Sequence, residues 1–178
     1  MKLKNIRSIE HPMYSKALRL YKASFPFHEQ REALSQERIL SCQEYNFGLI
    51  YDEDVFVGLA LYWETESFVY IEHLCILPEM RNRQYGQRLL AAMTEKKKTI
   101  ILEVDPPVDE ISRRRKSFYE RCGFVENHFP HIHPPYHRRN KGHELVIMSC
   151  PEGLSQKDYD SFSFYLRETV MDLSLIHI

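Results

Sequence analysis

The stretch 67–93, SFVYIEHLCILPEMRNRQYGQRLLAAM, constrains this fold more than any other part of the chain. Its first part, 68–77, is rich in β-branched, aromatic and leucine residues. It stops at Pro78, which cannot donate a further ladder bond, so the run predicts a buried strand. Its last part places Leu89, Leu90 and Met93 at i, i+1 and i+4, one apolar face of a helix over about 85–97. Between them lies Arg81-Asn82-Arg83-Gln84-Tyr85-Gly86, a basic turn opening into a helix N-terminus. Backbone N–H groups without intrahelical acceptors, the positive end of the helix dipole and the guanidinium groups of Arg81, Arg83 and Arg88 converge on such a turn. That combination suits a phosphate or diphosphate.

The rest of the composition narrows the partners. A chain of 178 residues with 43% hydrophobic and 28% charged residues is expected to build one globular domain over 1–178. A net charge of −1 gives no general attraction to nucleic acid or to an anionic membrane. The basic clusters Lys96-Lys97-Lys98 and Arg113-Arg114-Arg115-Lys116 read first as solvated helix faces. Cys42, Cys75, Cys122 and Cys150 have no C-x-x-C spacing and read as reduced, mostly buried thiols. The opening MKLKNIRSIE lacks an apolar core of signal-peptide length, and no run could span a membrane. A cytoplasmic protein is the expectation.

Along the chain, 3–9 alternates as a short edge strand, and Pro12 precedes a helix carrying Leu18, Leu20 and Tyr21 that stops before Phe25-Pro26. A second helix is expected over 35–42, with Leu34, Arg38 and Ile39 near one face. The runs 47–51 and 55–63 read as a hairpin closed at Asp52-Glu53-Asp54, and Gly58 inside the second marks a bulge or a close backbone approach. The run 99–104 reads as a central strand parallel to 68–77, crossed over by the 85–97 helix. A helix over 110–121 ends at Gly123, a left-handed cap. Strands follow at 124–129 and 144–150, and a C-terminal helix covers about 156–171, with Phe162, Tyr165, Leu166 and Thr169 on one stripe. The pattern gives no placement for 173–178.

Two motifs carry a family resemblance. The basic turn has the form (Gln/Arg)-x-x-Gly-x-(Gly/Ala), with Arg81 first, Gly86 last and Leu89-Leu90 in the following helix. One strand later, Ser117-Phe118-Tyr119-Glu120-Arg121-Cys122-Gly123-Phe124 matches Phe-Tyr-x-x-x-Gly-Phe. Together they resemble the GNAT superfamily of acetyl-CoA-dependent N-acetyltransferases. The resemblance implies an α/β (α+β) GNAT acyltransferase fold with a mixed central sheet of about six to seven strands flanked by helices, its motif core at 67–124. Gln84 stands where the family usually has glycine, and Asn82 replaces a common second glycine. A right-handed conformation at a helix start would not require glycine there. Upstream of the Phe-Tyr pair the family often has asparagine and alanine, where this chain has Ser112 and Arg115.

The resemblance also implies roles. Acetyl-CoA would be the co-substrate, with contacts from Leu74, Cys75, Ile76, Arg81, Asn82, Arg83, Gln84, Tyr85, Gly86, Gln87 and Ser117, and Arg88 would assist electrostatically. Main-chain groups at Leu74, Cys75 and Ile76 would pair with the pantetheine arm and polarise the thioester. Tyr119 would donate a proton to the departing thiolate. Glu72 would be the general base, since a carboxylate in an otherwise apolar strand is costly unless it has a task or a partner. Strand alternation puts Tyr70, Glu72, Leu74 and Ile76 on one face and His73 and Cys75 on the other. An arginine partner or a loop cap would equally account for Glu72, and His73 is the rival base.

By the same resemblance the acceptor would be a small-molecule or peptide amine, which Glu29, Glu32 and Glu144 suit without choosing one. The run His131-Ile132-His133-Pro134-Pro135-Tyr136-His137 would flank the acceptor pocket. It carries no recognised metal-ligand spacing, so no metal is expected. Nucleic-acid and membrane partners are not expected, and a homodimer is possible. The alternative to an enzyme is a catalytically idle GNAT-like domain that binds acyl-CoA or a partner protein.

Overall fold

The computed structural model describes residues 1–172, and the tail 173–178 lies outside the described residues. The strands are β1 (Lys2–Ile6), β2 (Tyr45–Asp52), β3 (Val55–Glu64), β4 (Phe68–Ile76), β5 (Thr99–Val104), β6 (Val125–Asn127), β7 (Ile132–His133), β8 (His143–Glu144) and β9 (Val146–Cys150). The helices are α1 (Tyr14–Ser24), α2 (Ala33–Ile39), α3 (Tyr85–Thr94), α4 (Glu110–Arg121) and α5 (Gln156–Tyr165). A mixed seven-stranded sheet runs β1-β2-β3-β4-β5-β9-β6, with helices flanking it, and β7-β8 form a separate ribbon. This is the α/β fold class that the resemblance implies. The chain divides into two compact units, Met1–Pro26 with Leu40–Leu102, and Phe27–Ile39 with the residues from Glu103 onward.

The first unit is an antiparallel meander, β1 to β4, followed by β5 parallel to β4 across the α3 connection. Its core holds Trp63, Phe47, Leu49, Ile50, Leu59 and Leu61, all nearly or wholly buried. The strand β1 is at the edge, as the pattern expects, but ends at Ile6 rather than residue 9. Arg7, exposed just past the strand, donates to the Cys42 carbonyl at 2.9 Å and to Asn46 Oδ1 at 3.1 Å. The helix α3 ends at Thr94, short of 97, because the chain reverses at Lys97 with φ 56°.

The second unit corrects the pattern in three places. The helix α2 spans Ala33–Ile39, and it buries Ser35, Gln36 and Ile39 while Leu34 faces solvent. A buried polar face carries no amphipathic signal, so the sequence pattern puts Leu34 on the wrong face. The ribbon β7-β8 has no counterpart in the sequence pattern, since two-residue strands have no readable period. It forms where Gly142 allows close approach, for a Cβ there would lie 2.8 Å from the His133 carbonyl oxygen. The last helix ends as α5 at Tyr165 and continues as a π-helical turn, Leu166–Val170. Phe162, Leu166 and Val170 are its buried stripe, and Arg31 donates to the Val170 carbonyl at 3.0 Å.

Candidate active site

In the first unit, β4 ends in a single turn, Pro78–Met80, and the Arg81 N–H closes it on the Pro78 carbonyl at 3.3 Å. Two residues of the basic turn then adopt left-handed backbone, Asn82 with φ 62° and Gln84 with φ 60°. The right-handed conformation expected at Gln84 is therefore wrong. Both positions where the family favours glycine keep a geometry that glycine adopts at no steric cost. The ladder of α3 begins with the Arg88 N–H on the Gln84 carbonyl at 2.9 Å, and Gln84 makes no side-chain cap. The N–H groups of Tyr85, Gly86 and Gln87 thus have no acceptor within the helix. Arg81 and Arg83 stay exposed beside them, Arg81 with Nε 3.4 Å from the Ile76 carbonyl oxygen. The third guanidinium is drawn off. Arg88 makes a bidentate pair with Asp52, at 3.1 and 2.9 Å.

Upstream of the turn, β4 presents a strand edge. Its ladder to β5 runs from Phe68↔Thr99 to Ile71↔Leu102 and goes no further. On the other side Leu74, Cys75 and Ile76 pair with Ala60, Leu59 and Gly58 of β3. Among the described residues, then, one edge of Leu74, Cys75 and Ile76 has no strand opposite it. Such an edge can pair with an extended ligand as a strand would.

Glu72 sits at a β-bulge. Tyr62 pairs with Ile71 and Leu61 with His73, which leaves Glu72 as the extra residue of β4. Its Oε2 accepts from Trp63 Nε1 at 2.7 Å. An indole is thus one partner of this carboxylate, a kind of partner that the pattern does not suggest. Glu72, Leu74 and Ile76 are the half-buried set and His73 and Cys75 the buried set, as alternation expects, whereas Tyr70 is fully buried. His73 packs edge-on against Tyr21 and Phe25, with ring centroids 5.1 and 4.6 Å apart. Burial pushes the Cys75 thiol up, against hydrogen bonds from Ser24 and the Leu59 backbone.

In the second unit, α4 is bounded by two local devices. Asp109 Oδ1 accepts from the Ser112 N–H at 2.7 Å, and the Asp109 N–H donates to Ser112 Oγ at 3.1 Å. Ser112 is therefore a capping residue, which explains its place in the sequence. At the other end the Gly123 N–H meets the Glu120 carbonyl and the Phe124 N–H meets the Tyr119 carbonyl, with Gly123 at φ 91°.

These devices hold Tyr119 between the rings of Phe118 and Phe124, centroids 5.2 and 5.7 Å away. Desolvation pushes its phenol up to about 12, Cys122 adds to the rise, and the Arg115 guanidinium opposes it. Among the described residues no hydrogen bond engages its hydroxyl. Ser117 lies half-buried on the same helix.

The acidic and histidine residues of this unit separate into two groups. His131 and His133 are buried. His131 Nε2 lies 2.6 Å from Glu103 and its Nδ1 3.2 Å from the Tyr159 hydroxyl, while His133 Nδ1 lies 2.6 Å from the Pro134 carbonyl oxygen. Tyr136 is buried too, with the Arg31 guanidinium 5.8 Å from its ring centroid. Nearer the surface, Phe27 stacks on His137 at 4.3 Å and His28 lies 4.9 Å from His143. Burial, then the Asp105 charge, pushes the Glu29 carboxyl up, and His28, Arg115 and His143 pull it down. Among the described residues no three histidine, cysteine or acidic side chains form a metal-holding group. Asp52 and Trp63 are the partners that the sequence did not single out. Both act across hairpin or strand pairings, which leave no local signal.

Comparison with known proteins bears on this geometry. Residues 43–126 match the family profile described as Acetyltransferase (GNAT) domain. A candidate GNAT-family acetyltransferase from Bacteroides thetaiotaomicron superposes with a TM-score of 0.90 at 29% identity, covering 96% of this chain and 98% of that one. The candidate acetyltransferase YjbC of Bacillus subtilis (strain 168) is 27% identical over 118 residues, 65% of this chain and 57% of that relative. The match therefore spans little over half the length of this curated relative. An aminoglycoside 6'-N-acetyltransferase complexed with coenzyme A shares the fold, with a TM-score of 0.59 at 14% identity, covering 84% of this chain and 96% of its own.

Proposed function

We propose, for a chain of the GNAT superfamily, that it transfers the acetyl group of acetyl-CoA to an amine. The observation that carries this reading is the start of α3. Three backbone N–H groups without intrahelical acceptors follow Arg81 and Arg83 in the chain, one short turn after a strand whose Leu74, Cys75 and Ile76 have, among the described residues, no strand along one edge. A diphosphate needs the former. A pantetheine arm, with its two amides, can use the latter.

Within that reading Leu74, Cys75 and Ile76 supply main-chain groups to the pantetheine arm and the thioester carbonyl. Glu72 takes the proton from the acceptor ammonium, and its Trp63 hydrogen bond fixes the carboxylate. The amine nitrogen bonds to the acetyl carbon as the C–S bond breaks, and the second proton it must shed passes to solvent. Tyr119 donates a hydrogen bond to the departing thiolate. With the phenol at about 12, full proton transfer to a thiolate is uphill, so Tyr119 acts as a donor and solvent completes the protonation. The acceptor class is an amine of a small molecule or peptide.

The test joins binding to turnover. Gly86→Asp places a negative charge at the α3 start, and calorimetry should show acetyl-CoA binding lost in the folded variant. Unchanged binding would move the site elsewhere. Wild-type protein should release CoA when acetyl-CoA is offered with a panel of amines. Binding without release for any amine would make the chain an idle acyl-CoA binder.

A further inference from the structure

The hairpin β2-β3 carries three consecutive acidic residues, Asp52, Glu53 and Asp54, at its tip. Asp52 still belongs to the ladder, paired with Val55, and Glu53 turns the chain with φ 53°. Because β3 runs antiparallel to β4, this tip comes beside the exit of β4. Gly58 is opposite Ile76, and the Leu77 N–H donates to the Val57 carbonyl at 2.9 Å. An anionic tip is thereby set against the one turn of this unit built to receive an anion. The contact made is specific: Arg88 Nη1 donates to Asp52 Oδ2 at 3.1 Å and Nη2 to Oδ1 at 2.9 Å.

Three properties make this pair exchangeable. Arg88 stands in the first turn of α3, where a cation opposes the helix dipole and gains from a nearby anion. The Asp52 and Arg88 side chains are 27% and 46% exposed, so the pair lies in high dielectric and gains little from persisting. A diphosphate carries more charge than one carboxylate and accepts the same fork geometry. Arg81 and Arg83 are exposed, and among the described residues they reach a carbonyl oxygen and the Met80 sulfur. Of the three, among the described residues, Arg88 is the one held by a carboxylate.

We propose that Asp52 is a built-in competitor for the anion site, holding the Arg88 fork until a cofactor diphosphate takes it over. The inference rests on the acetyl-CoA reading of the same turn. It makes Asp52 a determinant of cofactor affinity and of its salt dependence. With Asp52 in place, binding replaces one ion pair by another. Without it, binding forms a new pair, so affinity rises and becomes more sensitive to ionic strength.

The experiment is calorimetry of CoA on wild-type protein, Asp52→Asn, Asp52→Ala, Arg88→Gln and the double variant Asp52→Ala/Arg88→Gln, at low and moderate salt. Thermal melts confirm that each folds. Removing the Asp52 charge should tighten CoA binding roughly three- to tenfold. Arg88→Gln should weaken it by at least as much, and most of the gain from removing Asp52 should vanish in the double variant, because the Arg88 fork is the larger of the Asp52 contacts and the Tyr85 hydroxyl the smaller. Binding unchanged or weakened in both Asp52 variants would overturn the proposal, as would a gain that persists undiminished in the double variant. Inorganic pyrophosphate, titrated in parallel, separates the two readings. If CoA fails to bind while pyrophosphate binds more tightly to the Asp52 variants, the acetyl-CoA reading falls and the exchange stands. If neither binds any variant, both fall.

Discussion

Trp63 Nε1 donates to Glu72 Oε2 at 2.7 Å, from β3 to the bulged residue of β4. An indole can only donate, so this bond favours a carboxylate or amide oxygen at position 72. It orients Glu72 without neutralising it, as an arginine would. Glu72→Gln keeps an oxygen for the indole and removes basicity. Turnover at neutral pH should fall by roughly two orders, recovering as rising pH deprotonates the acceptor amine in solution. A pH–rate profile is the measurement, and one identical to wild type would return Glu72 to a structural role. Trp63→Phe should give a smaller loss, because the base remains while its orientation relaxes.

Tyr119 gives a prediction with a sign. Its folded value of about 12 lies above the unfolded value of about 10, so the folded state holds the extra proton between them. The stability contributed by the protonated phenol is whole below pH ~10 and is lost as pH climbs through about 12. That loss is on the order of 2 kcal/mol. Tyr119→Phe should remove this part of the alkaline denaturation curve, leaving stability at neutral pH little changed. Turnover should fall roughly ten- to thousand-fold at neutral pH. Denaturant melts at several pH values, beside steady-state rates, separate donor from core ring.

The sequence revealed what depends on neighbours along the chain. The β4–turn–α3 stretch, the hairpin at residues 52–55 and the cap at Gly123 were legible because their signals are local: apolar runs, proline stops and a glycine that supplies a left-handed residue. What escaped was set by pairing across distance. Neither the bulge that singles out Glu72 nor its indole partner leaves a trace in the order Ile71-Glu72-His73. Asp52 read as a turn residue, and only the antiparallel register of β3 with β4 brings it to Arg88. His131 and His133 read only as part of a run flanking the acceptor pocket, because Glu103, 28 residues away from His131, is invisible to local inspection.

Gln84 should be replaceable to advantage. It holds φ 60° and ψ 15° with no side-chain cap, a conformation that costs a β-carbon-bearing residue about 1–2 kcal/mol. Gln84→Gly should therefore raise stability by about 0.5–1 kcal/mol, after allowing for the larger entropy of glycine in the unfolded chain. CoA affinity should be retained or improved, since the turn is already in the required shape. Gln84→Ala should give no such gain, because alanine meets the same clash. Thermal melts of the pair decide it. Equal stability of the two variants would show that the turn relaxes around whatever residue it holds.

Gly58 has the opposite expectation. It lies in β3 opposite Ile76, and a Cβ there would stand 2.3 Å from the Cys75 carbonyl oxygen and 3.0 Å from the Ile76 Cα. Both are backbone atoms of the strand proposed to bind the pantetheine arm, so no side-chain rotation can relieve the overlap. Gly58→Ala must push β3 and β4 apart, at about 3 kcal/mol or more. Gly153→Ala is the control, because its new Cβ would come no closer than 3.4 Å to the side chain of Asn127. Urea unfolding should show a large drop in midpoint for Gly58→Ala and a small change for Gly153→Ala. Where Gly58→Ala still folds, acetyl-CoA affinity should fall with stability, because the displaced atoms are those of Cys75 and Ile76. A folded Gly58→Ala protein with unaltered affinity would separate this strand edge from cofactor binding.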